Sequence, residues 1–169
     1  RQGKIDAVTI TGGEPTLQGD LVPFIRKIRK MGFAIKLDSN GSYPDVLARL
    51  IQDKLLDFIA LDVKAPVERY ASVVKSPVTI DMIRESIQIV LKAKISHEFR
   101  TTVVASLLTT KDILAIVREI AGAKRYALQK FQPARTLNKK YIREKTYSDE
   151  EFLEIKVQLE KEVPVVIIR

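Results

Sequence analysis

The chain has 169 residues, 46% of them hydrophobic and 30% charged, with 29 Lys and Arg against 21 Asp and Glu for a formal net charge of +8. That length and composition describe a single globular domain with a substantial core and exclude a disordered or membrane-spanning chain; with no signal peptide either, the expected location is the cytoplasm and the expected state a monomer. Zero cysteines exclude disulfides, thiolate metal ligands and a cysteine nucleophile, and the single His excludes a zinc site built mainly from imidazoles.

Read in order, strand and helix alternate. The chain opens on Arg1-Gln2-Gly3 with no initiator Met, which reads as a fragment or processed product. Strand one is Ile5–Ile10, followed by the turn Thr11-Gly12-Gly13-Glu14-Pro15-Thr16. Asp20 suits the N-cap of a helix carrying Leu21, Phe24, Ile25 and Ile28 and stopping at Gly32. Strand two is Phe33–Leu37, closing on Asp38-Ser39-Asn40-Gly41. Pro44 opens a helix with Val46, Leu47, Leu50 and Ile51 on one face. Strand three is Phe58–Val63, then Lys64-Ala65-Pro66 and a looser stretch, Val67 to Pro77, with a short turn of helix. A helix over Ile80–Lys92 turns Ile83, Ile87, Val90 and Leu91 inward. His97 precedes strand four, Glu98–Val104; Thr110 caps the next helix, which ends at Gly122; strand five is Tyr126–Phe131. The stretch Gln132 to Tyr147 is irregular and basic. Ser148-Asp149-Glu150-Glu151 makes a capping box, the last helix runs from Phe152 to about Lys161, and the last strand is Val163–Ile168. Continuous apolar strands between amphipathic helices predict an α/β fold of parallel (βα) repeats, either an open sheet or part of a TIM-like barrel.

The polar residues collect at the carboxyl ends of the strands, the rim where such folds bind ligands. They are Gly12, Gly13 and Glu14; Asp38, Ser39 and Asn40; Asp62 and Lys64; Arg100, Thr101 and Thr102; and Gln129, Lys130 and Gln132. A tight turn with a helix-capping acid accounts for Glu14 taken alone. It accounts poorly for Asp62 and Lys64 in an apolar strand, where charges are costly unless paired. The carboxylates suit an ammonium, a sulfonium or a hard cation, and Lys64 and Arg100 suit a carboxylate. A ligand bearing both an amino group and a carboxylate fits that set.

These residues resemble the radical S-adenosylmethionine family, and within it the activating enzymes of glycyl-radical enzymes. The resemblance rests on Val8 to Leu17 around Gly12-Gly13-Glu14-Pro15, on Lys36-Leu37-Asp38-Ser39-Asn40-Gly41, and on Leu56 to Pro66 with Asp62-Val63-Lys64. Phe99-Arg100-Thr101-Thr102-Val103-Val104 and Leu128-Gln129-Lys130-Phe131-Gln132-Pro133 look like the later strands. The resemblance implies a partial (βα)6 barrel. It implies that Gly12, Gly13 and Glu14 hold the methionyl amino group of S-adenosylmethionine and that Asp38 and Ser39 line its methionine or ribose side. It implies further that Asp62 contacts the ligand or a monovalent cation beside it, that Lys64 meets the methionyl carboxylate, that Arg100 forms the floor, and that Phe131 and Gln132 lie near the adenine.

One departure is large. The family binds a [4Fe–4S] cluster through a C-x-x-x-C-x-x-C motif after its first barrel strand, and this chain has no Cys. Strand Ile5–Ile10 matches the family's second strand. The sequence therefore reads as the C-terminal portion of an activase, lacking the first βα unit, inactive as given, with no metal-binding residue of its own and an exposed flank on Ile5–Ile10. The resemblance gives the parent an electron donor and a glycyl-radical enzyme as protein substrate.

Two other readings remain. Lys64 at a strand end beside Asp62 and Glu14 suits a (βα)-barrel lyase or aldolase using a lysine nucleophile. The basic stretch Lys130–Lys145, with Phe131, Tyr141 and Tyr147 interleaved, suits nucleic acid, although a solvated lip that meets a protein partner fits it better.

Overall fold

The structure is a computed structural model that describes residues 5–74, 78–135 and 139–169. The terminal Arg1-Gln2-Gly3, Pro77 at the end of the loose stretch, and residues 136–138 of the basic stretch lie outside them. The elements are β1 (Ala7–Ile10), α1 (Leu21–Lys30), β2 (Ala34–Ser39), α2 (Pro44–Gln52), β3 (Phe58–Asp62), α3 (Tyr70–Val73), α4 (Ile80–Lys92), β4 (Ser96–Val103), α5 (Thr110–Glu119), β5 (Arg125–Lys130), α6 (Asp149–Leu159) and β6 (Val165–Ile168). Short 3₁₀ turns occupy Pro15–Leu17, Val67–Arg69, Pro133–Arg135 and Lys139–Arg143. The strands follow chain order. The parallel (βα) architecture is the expected one.

The chain divides into two compact units: Arg1–Asp62 with Pro77–Glu98, and Val63–Ser76 with Phe99–Arg169. In the first, β1, β2 and β3 pair in parallel, with Ile10 opposite Leu37 and Ser39 opposite Leu61. β1 is an edge strand among the described residues, as expected of Ile5–Ile10. Ile35, Leu37, Ile59 and Leu61 are buried, as are Leu21, Ile25 and Ile28 of α1, Leu47 and Leu50 of α2, and Ile83, Ile87 and Val90 of α4. Val46, Ile51 and Leu91, expected inward, are only half-buried. The alternate residues of β2 are half-buried too, so the sheet has one helix-covered face and one more open face.

In the second unit β5 pairs in parallel with both β4 and β6. Its core joins Phe99, Val103, Tyr126, Leu128 and Val166 to Ile113, Ile116 and Val117 of α5 and Phe152, Ile155 and Leu159 of α6. The Tyr126 hydroxyl donates to Thr101 Oγ1 at 2.7 Å, and the Thr101 hydroxyl donates to the Val63 carbonyl at 2.6 Å. Burial pushes the Tyr126 phenol well above its ordinary range.

Several boundaries differ from the sequence reading. Asp20 flanks α1 without a side-chain cap bond, so that helix starts on packing rather than on a capping acid. The cap of α5 is Thr109, not Thr110: its hydroxyl accepts from the Asp112 amide, and the Asp112 carboxylate takes the Thr109 amide in return. His97 lies inside β4 rather than before it. β2 runs on through Asp38 and Ser39, while β3 stops at Asp62 and β5 at Lys130. The expected box at Ser148 and Glu151 is present.

Burial alone would raise the Asp112 carboxyl. The Thr109 hydroxyl and amide, with the Arg69 guanidinium beside it, outweigh that and hold it below its ordinary 3.8. A depressed folded-state value stabilises the fold above the unfolded value, and that contribution is lost as pH falls through the folded one. Thermal melts of the wild type should therefore weaken as pH drops below about 4, while Asp112→Asn should start from a lower Tm and lose less over the same range. Gly41 has φ +76, and a Cβ there would lie 3.2 Å from Ser86 Cβ and 3.3 Å from Leu61 Cδ1. Gly41→Ala should cost about 1–3 kcal/mol in urea unfolding, from the strained φ and the crowded helix-side contact.

Candidate functional site

The Gly12-Gly13-Glu14-Pro15 turn follows β1 directly. Gly12 adopts φ +140, which a side chain resists, and nothing lies within 4 Å of the Cβ position of Gly12 or Gly13. A ligand can therefore approach this backbone closely. Glu14 is 7% exposed and extended, and its carboxylate is fully engaged inside the protein. Oε1 accepts from the Thr16 amide (3.2 Å), the Thr16 hydroxyl (2.6 Å) and the Ser39 hydroxyl (2.9 Å), and Oε2 accepts from the Asn40 amide (2.6 Å). Glu14 thus caps the Pro15–Leu17 turn and also clips the loop after β1 to the end of β2. Ser39 Oγ accepts from the Gly41 amide at 3.1 Å, and the Ser86 hydroxyl of α4 donates to the Gly41 carbonyl at 2.7 Å. Ser39 therefore fastens the two loops.

On the more open face of the same unit, Lys36 and Asp38 point the same way from β2. Lys36 Nζ lies 3.3 Å from Asp38 Oδ1 and 3.9 Å from Oε1 of Glu98, a residue 1% exposed, and sits 5.5 Å from the centre of the Phe58 ring. Register pairs Asp38 with Ala60, so the alternation of β3 puts half-buried Asp62 on this face. Lys36 and Glu98 are additions to the rim residues named from the sequence. The available signal was the alternation within β2, where Lys36 and Asp38 interleave with apolar Ile35 and Leu37.

In the second unit Arg100 is 8% exposed and shares a face with Thr102, whose hydroxyl reaches Gln129 Oε1 at 3.4 Å. Thr101 and Lys130 were expected on the same rim but face the helices. Thr101 bonds Val63 and Tyr126, while Lys130 pairs with Asp149 at 2.6 Å and lies 5.8 Å from the centre of the Phe152 ring. Lys64 is exposed beyond the end of β3, so it carries none of the burial cost that an apolar strand would impose. It also lacks the apolar pocket that activates a nucleophilic lysine. Phe131 is half-buried and Gln132 exposed, both just after β5. The loop after Lys64 is anchored by the Val67 amide on Glu119 Oε1 (2.7 Å) and by Arg69 on Asp112.

A carboxylate with four donors is hard to replace. In Glu14→Gln the amide nitrogen either faces the Asn40 N–H or displaces the Thr16 and Ser39 donors, and a cost of about 1–3 kcal/mol is expected. Ser39→Ala should cost about 1 kcal/mol. Urea unfolding of the two variants checks this ranking, and equal losses would contradict the carboxylate-centred arrangement.

The family model described as the radical SAM superfamily matches residues 1–120. A Methanocaldococcus jannaschii protein provisionally named as a glycyl-radical enzyme activating enzyme is 32% identical over an alignment of 169 positions that covers 97% of this chain and 70% of that protein. A 7-carboxy-7-deazaguanine synthase of Methanopyrus kandleri is 46% identical over 61 residues, covering 35% of this chain and 23% of the synthase. Among solved structures, a domain of the pyruvate-formate lyase-activating enzyme of Bacteroides vulgatus superposes with a TM-score of 0.72 over 96% of this chain and 98% of that domain; at 16% identity the likeness is one of fold. Matched by the family model over more than half its length and by a relative along nearly all of it, this chain belongs to the radical SAM superfamily.

Proposed function

We propose that these residues form the S-adenosylmethionine-binding part of a glycyl-radical enzyme activating enzyme. The observation that carries the reading is the Glu14 clamp, which holds the accessible Gly12-Gly13 backbone beside a strand face bearing Asp38 and Asp62. Such a set fits the ligand. Carboxylates and backbone carbonyls of the first unit suit its ammonium and sulfonium groups; in the second unit, Lys64 and Arg100 have the chemistry that the resemblance assigns to its carboxylate. In this reading Glu14 acts by shape, because its own oxygens are engaged within the protein. Ser39 and Asn40 keep the end of β2 in register with the turn. Asp38 and Asp62 supply the negative charge, and Phe131 and Gln132 serve the adenine side.

When bound, S-adenosylmethionine would supply the 5′-deoxyadenosyl group for radical chemistry on a protein glycine. A [4Fe–4S] cluster does not fit these 169 residues. It needs thiolate ligands, and the chain has no cysteine. Among the described residues no group of three or more His, Cys, Asp or Glu could hold a metal ion either. Any cluster serving the site, and the electron donor that reduces it, would be held or met by other residues. Among the described residues no helix is long and apolar enough to cross a membrane.

Titration calorimetry with S-adenosylmethionine tests the site. Asp62→Ala and Glu14→Ala should each weaken binding about tenfold, with Lys139→Ala close to wild type. Circular dichroism confirms that the variants are folded under the conditions used. Uniform affinities across the three variants would refute the assignment.

A further inference from the structure

The stretch Lys139–Lys145 carries Lys139, Lys140, Arg143 and Lys145 against the single carboxylate of Glu144. Its placement in the second unit is fixed. The Ala105 amide donates to the Lys145 carbonyl at 2.9 Å, and the Thr146 hydroxyl donates to the Val103 carbonyl at 2.9 Å. The Tyr147 hydroxyl donates to the Leu108 carbonyl at 2.8 Å. Val103 ends β4, and Ala105 and Leu108 lie in the segment between it and α5, at the carboxyl end of the strand near Thr102. The basic 3₁₀ turn Lys139–Arg143 is therefore tethered at the working end of its own sheet. It also presents Ile142, 54% exposed, among the cations.

Resting on the activase reading above, we propose that this turn is a docking surface for an acidic, partly apolar segment of the protein substrate. Charge complementarity selects the partner. A cluster of cations at the rim attracts an acidic chain and raises its encounter rate, and Ile142 supplies an apolar contact that a purely electrostatic surface lacks. Nucleic acid is the other anionic class, and Tyr147 argues against it. Tyr147, which could have stacked on a base, packs edge-on against Phe152 at 6.1 Å and 87° and has its hydroxyl engaged by Leu108. Stacking on aromatic faces is what single-stranded nucleic acid sites rely on.

The experiment measures fluorescence anisotropy of the 169-residue protein with two probes, a short labelled peptide alternating Glu and Leu, and oligothymidylate. The wild type should bind the peptide more tightly than the oligonucleotide. A charge-reversed Lys139→Glu, Arg143→Glu, Lys145→Glu variant should lose about tenfold or more, and Ile142→Ser should lose several-fold at salt high enough to screen the cations. Unchanged peptide binding in the charge-reversed variant overturns the proposal, as does an Ile142→Ser variant that binds like wild type. Tighter oligothymidylate binding that disappears in the same variant overturns it in favour of a nucleic-acid surface. S-adenosylmethionine calorimetry on the charge-reversed variant should match wild type. Failure of ligand binding in the wild type itself would remove the activase reading without deciding the docking result, so the two failures are distinguishable.

Discussion

The first unit depends on one carboxylate. Glu14 gathers two donors from its own turn and two from the end of β2, and it does so while almost fully buried. A buried charge is costly unless it is met by hydrogen bonds, and here four donors meet it. The consequence is geometric. The loop after β1 and the loop after β2 cannot move independently, and Ser86 ties the second loop onward to α4 through Gly41. The exposed backbone of Gly12 and Gly13 is thereby held rigid without any side chain covering it. The binding role proposed for this turn would benefit from that preorganisation, since little ordering would remain to be done on binding.

Charge on the strand faces follows the same logic. Lys36 stands between Asp38 and Glu98 and rests on the Phe58 ring, so this half-buried cation on the open face has both ionic and aromatic company. Such an arrangement contributes less net stability than its attraction suggests, because desolvation offsets much of it. Its clearer effect is to hold Asp38 in one place. In the second unit the buried polar groups are linked as closely: Tyr126 to Thr101 to Val63 in the core, and Arg69 to Asp112 to Thr109 at the start of α5. The latter network anchors the loop that follows Lys64, so that loop's course is set from the helix it lies against.

Membership of the radical SAM superfamily and the likeness to a provisionally named activating enzyme place this chemistry within a known frame. The absence of cysteine sets a limit within it. The role proposed for these residues is to bind and orient a ligand, and thiolate ligation of a cluster is outside their chemistry because the sequence has no cysteine. The docking role proposed for the basic turn at Lys139–Arg143 would extend that frame outward, to a surface remote from the ligand. Packing, not sequence spacing, sets the role of Tyr147 there, since its ring lies edge-on against Phe152.

The sequence by itself determined the alternation of strands and helices, the helix over Ile80–Lys92 to the residue, the Ser148–Glu151 box and the Gly12-Gly13-Glu14 turn. Those are local matters, decided by periodicity, capping chemistry and glycine's conformational freedom within a few residues of one another. Only the tertiary structure decided where each polar side chain points. Lys130 and Thr101 sit at the expected strand ends yet turn toward the helices, because a period of two sends neighbouring residues to opposite faces and the register of pairing sets which face is which. Lys36 enters the charged face for the same reason, while Lys64 falls outside the strand because β3 ends at Asp62. The Gly-Gly-Glu-Pro turn was visible at once as a corner with an acid. That the acid is the clasp between two loops required the partner residues, Ser39 and Asn40, which stand 25 and 26 positions away in the chain and meet Glu14 only when β1 and β2 pair.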